Sequence, residues 1–148
     1  MNNRKRYGML VDQSLIEAND LGLINGHITL NGWKHDVAEI RGLYVPPFFS
    51  KLFRLEIRFD GERVSADSCF WQPVRLDRKG RFKGLQIQST LSLAADKRAA
   101  VMKITLRNPD KSTRRVAVQY DICGALVFQK HWGFNFPVDA VSSIPELL

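Results

Sequence analysis

The chain has 148 residues, 45% hydrophobic and 25% charged, the proportions of an ordinary globular domain rather than of a disordered or membrane protein. At this length roughly two thirds of the unfolded surface can be buried without disulfides or metals. Lys and Arg outnumber Asp and Glu by 22 to 15, a net charge of +7, which favours anionic partners. No apolar run approaches the ~20 residues that cross a bilayer, and the N-terminus lacks the apolar stretch of a secretory signal. The sequence therefore predicts a cytoplasmic chain, or a fragment of one, without membrane association.

In chain order, residues 1–6 form a basic arm containing Arg4, Lys5 and Arg6. Gln13 to Asp20 has a mildly helical composition. Asn25-Gly26 then stands between two apolar runs, the strongest short hairpin signal, because type I′ turns need positive φ at both central residues. Val37 to Leu43 reads as a further strand. Pro46 and Pro47 lack amide donors and cannot sit in a central strand, so Tyr44 to Ser50 is expected to be a connection with exposed aromatics.

Phe53, Leu55, Ile57 and Phe59 share one parity, and Arg54, Glu56 and Arg58 the other. That alternation predicts a strand buried on one face. Asp60-Gly61 predicts a tight turn into a partner strand at Glu62 to Ser65. Leu85 to Leu93, Met102 to Leu106 and Val116 to Ile122 repeat the period-two pattern, and Asn108-Pro109-Asp110 supplies turn chemistry between the last two. Three successive antiparallel strands are the simplest expectation. The fold class that follows is all-β, an antiparallel β-sandwich of long strands with hairpin and meander connections. It occupies residues 7–137, with a C-terminal tail or linker at 138–148.

Catalytic and metal motifs are missing from the sequence. His27, His35 and His131 stand apart from other ligand types, so no metal site or cofactor is expected. Cys69 and Cys123 lack zinc spacing and are expected to be buried thiols, with a disulfide open if they meet in space. Asp60, Asp77, Asp96 and Asp110 fall in predicted turns, where their side chains hold local backbone. Glu17 with Asp20, and Asp36 with Glu39, are expected on the surface.

Ligand-binding candidates are Trp33, Trp71 and Trp132, each beside polar or charged neighbours, and Tyr44 near the Pro-Pro pair. Aromatic faces of this kind can stack on the C–H faces of sugars, and they can equally fill core edges. Gln119 and Asp121 share the polar face of the Val116 to Ile122 strand, where they are suited to a ligand or simply to solvent.

The stretch from Met102 through Asn108-Pro109 to Gly124, a strand, a turn and a return strand, resembles the N-terminal galactose-mutarotase-like β-sandwich domains of α/α-toroid glycoside hydrolases, trehalase-like or glycogen-debranching-like. Arg41-Gly42-Leu43-Tyr44-Val45-Pro46-Pro47 is similar to the tight aromatic segments such enzymes place near the domain junction, which adds Arg41 to the candidates. The resemblance implies a non-catalytic module that supports or borders a sugar site, with carbohydrate or a helical catalytic domain as partner. The acid and base would lie in that toroid, so no catalytic residue carries over to this chain. The basic clusters at Arg4 to Arg6 and Arg75 to Arg81 support a different class, a nucleic-acid or polyanion-binding domain. A third expectation is an interaction or scaffold domain, using the aromatic strip from Tyr44 to Phe49.

Overall fold

The computed structural model describes residues 9–11 and 20–128. The arm at 1–6, the helical tendency from Gln13, His131, Trp132 and the tail at 138–148 lie outside the described residues. Within them the regular structure is entirely β. The strands are β1 (Met9–Val11), β2 (Asp20–Ile24), β3 (Thr29–Trp33), β4 (Ile40–Val45), β5 (Phe48–Phe59), β6 (Ala66–Gln72), β7 (Arg75–Phe82), β8 (Leu85–Leu93), β9 (Ala100–Arg107), β10 (Val118–Cys123) and β11 (Val127–Phe128).

They form two antiparallel sheets that face each other. The first runs β1-β6-β7-β8-β9; the second runs β10-β5-β4-β3-β2, with β11 also paired to β5. The expected all-β antiparallel sandwich is what the chain forms. Period two explains the facing. In β8, Leu85, Ile87, Ser89, Leu91 and Leu93 are buried while Gln86 and Gln88 are exposed. Leu21, Leu23, Leu30 and Ile40 of the second sheet meet Cys69, Leu76, Leu91 and Leu93 of the first in one core cluster. A neighbouring cluster joins Ile57 and Phe59 to Phe82 and Ile87. Each fully buried Leu, Ile or Phe contributes about 1.5–3 kcal/mol relative to exposure.

Turn chemistry behaves as the residues dictate. The Asn25 side-chain oxygen accepts the amides of His27 and Ile28, each at 2.9 Å, while Gly26 adopts φ 85°. Asp60 and Gly61 take φ 51° and 80° and close a bridge between Phe59 and Glu62.

Three connections differ from expectation. After Asp60-Gly61 the chain does not return beside β5. Val64 instead accepts the Val37 amide at 2.9 Å, and the chain passes into β6 of the other sheet. Pro46 and Pro47 make a two-residue turn with Val45 paired to Phe48, so the aromatic segment belongs to strand ends rather than to a long connection. β10 pairs with β5, not with β9. The crossing is held where the Asp60 amide donates to the Ala117 carbonyl at 2.8 Å and the Asp60 carboxylate accepts the Ala117 amide at 2.9 Å. Alternation marks which face of a strand is apolar but says nothing about which neighbour it joins.

Candidate ligand-binding face

The outward parity of the second sheet carries a continuous polar array. Register sets Arg41 opposite Arg54, Glu56 opposite Asp121 and Arg58 opposite Gln119. Trp33 ends β3 and donates its amide to the Glu39 carbonyl at 3.4 Å, bringing the start of β4 alongside the indole. Arg63 reaches in from beyond the Asp60-Gly61 turn.

Two carboxylates organise four guanidiniums. Glu39 is fully buried and Glu56 is 4% exposed. Arg41 Nε lies 2.7 Å and Arg54 Nε 2.8 Å from Glu39 Oε1; the second contact is an ion pair whose alignment does not make a hydrogen bond. Arg54 Nη2 lies 2.5 Å from Glu56 Oε2, and Arg58 and Arg63 each donate Nε–H to Glu56 Oε1 at 2.7 Å. Arg54 and Arg63 thus touch both carboxylates. Asp121 stands 3.6 Å from Arg58 and also accepts from Gln119 at 3.2 Å.

The arginine side chains stay 34–40% exposed, so the array is open to solvent although Arg54 Nε is buried. Four guanidiniums against Glu39, Glu56 and Asp121 leave one net positive charge. An open depression of about 440 Å³ lies between β5 and β10, lined by Arg54, Glu56, Arg58 and Asp121 among others. The Trp33 indole supports this array. The Arg41 guanidinium lies 3.9 Å above its ring centroid and that of Arg63 5.8 Å away, within cation–π range. Three buried polar atoms here have no hydrogen-bond partner among the described residues, Trp33 Nε1, Glu39 Oε2 and Arg54 Nε.

Beneath the face, the segment between β3 and β4 is fastened from the opposite sheet. Arg78 of β7 is completely buried. Its Nη1 donates to the carbonyls of Trp33, Asp36 and Glu39 at 3.0, 3.0 and 2.7 Å, and its Nε donates to Ser89 Oγ at 3.3 Å. Burial pulls its pKa down to about 10, which still leaves it charged at neutral pH. Burial likewise raises Asp36 above the usual carboxylate value, against the Ala38 amide that its carboxylate accepts at 2.7 Å. The Cys69 thiol is pushed up by the same desolvation and contacts the Lys34 carbonyl at 3.1 Å.

Of the sequence candidates, Trp33, Arg41, Gln119 and Asp121 share this face. Trp71 does not; it packs against the core, and its Nε1–H donates to the Gly22 carbonyl at 2.8 Å, tying β6 to β2. Tyr44 stacks on Phe49 with ring centroids 6.5 Å apart. Trp132 lies outside the described residues. Asp36 and Glu39, expected on the surface, are buried because Arg78 and the second-sheet arginines supply their partners. Cys69 is buried as expected, whereas Cys123 is exposed, and both thiols are free. Nothing in the sequence marks Arg54, Glu56, Arg58 and Arg63 as a site, and Arg78, within the Arg75 to Arg81 cluster expected to meet a polyanion, is buried instead. Only Arg78 left a signal, a charged residue on the parity of Leu76, Gly80 and Phe82.

Among the described residues no group of three or more His, Cys, Asp or Glu could hold a metal ion, and no helix is long and apolar enough to cross a membrane. Comparison with protein-family models, with curated proteins and with solved structures gives no match.

Proposed function

We propose that the chain is a non-catalytic ligand-binding β-sandwich whose arginine face takes an oxyanion-bearing ligand, phosphate or carboxylate. The observation that carries this reading is the fixing of four half-exposed guanidiniums by two buried carboxylates. Guanidinium forks match carboxylate and phosphate geometry in paired hydrogen bonds. Arginines already held in place lose less conformational entropy on binding than free ones.

A carbohydrate module is the second reading, favoured by Trp33, Arg41, Gln119 and Asp121 sharing one face. Because Arg41 covers a face of the Trp33 ring, this reading calls for an acidic sugar, whose carboxylate meets the arginines.

Calorimetric titration at low salt with pyrophosphate, an oligoglucuronate and a neutral maltooligosaccharide separates the two. The proposal expects heat with at least one of the two oxyanion ligands, lost in Arg54→Gln/Arg58→Gln. Indifference to both oxyanions overturns it, and binding of the neutral sugar alone moves the assignment to an ordinary carbohydrate module.

A further inference from the structure

The outward face of the first sheet bears a second, different set of cations. Register aligns Arg81, Gln86 and Arg107 in one row, Lys79, Gln88 and Thr105 in the next, then Asp77, Thr90 and Lys103. All but Asp77 and Thr90 are exposed. Asp77 is the one acid on the outward positions of β7, β8 and β9, and it is engaged: Arg75 Nε–H donates to it at 2.9 Å and Thr90 Oγ at 2.5 Å. Lys79, Arg81, Lys103 and Arg107 have no ion pair among the described residues. This is the opposite of the arginine face, where each guanidinium is partly neutralised.

We propose that this face is a docking surface for a double-stranded nucleic acid, held through its phosphate backbone. Residues two apart on a strand are about 7 Å apart, and next-but-one strands about 10 Å. The four exposed cations therefore spread over a patch broad enough to meet several phosphates at once. Gln86, Gln88 and Thr105 stand between them, and amides and hydroxyls are common partners of phosphate and sugar oxygens.

The chemistry of the patch selects this partner over others. Outward positions on β7, β8 and β9 carry no aromatic side chain, and the neighbouring β6 adds to this face only the half-buried Phe70 opposite Asp77, too little for the successive stacking that retains single strands. Their one exposed apolar residue is Val101, too little for insertion at a lipid interface. A duplex backbone needs neither. Such binding is independent of base sequence and of the oxyanion site on the other sheet.

The test is fluorescence polarisation with a labelled 20-base-pair duplex over a salt series. Four phosphate contacts predict a slope of log K against log salt near −4, from roughly −0.9 per contact. Lys79→Glu/Arg81→Glu should weaken binding at least tenfold at 50 mM salt and lower the slope by about two. An unchanged Tm would show that these exposed replacements leave the fold intact. Arg54→Gln/Arg58→Gln should bind the duplex like the parent even where it has lost pyrophosphate.

Three results overturn the proposal: no duplex binding at 25 mM salt, a parent-like slope in Lys79→Glu/Arg81→Glu, or tighter binding to a single strand or to phosphatidylserine vesicles than to the duplex.

Discussion

Arg78 and Glu39 meet through the Glu39 backbone, with Arg78 Nη1 donating to its carbonyl oxygen at 2.7 Å, while the Glu39 carboxylate on the far side receives Arg41 and Arg54. A guanidinium from one sheet thereby sets the position of an acid that organises guanidiniums on the other. Replacing Arg78 with Met removes a donor from three carbonyls, of which that of Glu39 keeps the Trp33 amide, and a buried carbonyl left unpaired costs about 1–3 kcal/mol. Urea denaturation should show a loss of about 3–5 kcal/mol. Arg78→Lys keeps the charge but has one donor nitrogen, which cannot serve both the carbonyls reached by Nη1 and the Ser89 hydroxyl reached by Nε, and should recover only part of that loss.

Asp36 gives a pH signature. Burial raises its pKa in the folded chain, so the folded state holds the proton to higher pH than the unfolded state does. Its contribution to stability is complete below the unfolded value near 3.8 and is lost as pH rises through the folded pKa. Asp36→Asn cannot ionise and still offers an oxygen to the Ala38 amide. The stability difference between variant and parent should move in the variant's favour from pH 4 to pH 7, as measured by thermal unfolding. A constant difference would show that Asp36 ionises alike in both states.

Glu56→Gln separates ordered guanidiniums from simple positive charge. The variant is one charge more basic, so an unstructured cationic patch would bind pyrophosphate more tightly. If Glu56 instead holds Arg54, Arg58 and Arg63 in place, affinity should fall roughly tenfold, about 1.4 kcal/mol, by calorimetry.

Glycines at two positions should respond differently to alanine. At Gly80 a Cβ would run into the Ser65 carbonyl oxygen and meet Val64 Cγ1 at 3.3 Å, where the chain crosses between sheets. Gly80→Ala should cost about 1–3 kcal/mol, as overpacking does. At Gly22 the nearest atom would be Asn31 Oδ1 at an ordinary 3.6 Å. There the substitution should be neutral or add about 0.5 kcal/mol by restricting the unfolded chain.

Much of the fold is legible in residue order because alternation of apolar side chains reports directly on which face meets the other sheet. β5, β8 and β9 follow it, and Asn25-Gly26 marks its hairpin. Partner choice is not local, which is why β10 lies beside β5 through contacts of Asp60 with Ala117 that no period reveals. The site is legible by half. Trp33, Arg41, Gln119 and Asp121 were recognisable as polar or aromatic candidates, but Arg54, Glu56 and Arg58 read as an ordinary wet face. Their network depends on Glu39, which leads into β4, and on Arg63, which arrives from a turn. Long-range pairing of this kind joins residues that sequence spacing keeps apart.

If the second-sheet arginines act as one oxyanion-binding array, they should respond to the ligand together. The most direct measurement follows arginine Nε–Hε resonances by NMR while pyrophosphate is added at low salt. Progressive, saturable shifts are expected at Arg41, Arg54, Arg58 and Arg63, with Arg78 unmoved in its buried cradle. Shifts confined to Arg81 and Arg107 on the opposite sheet, or none at all, would contradict it.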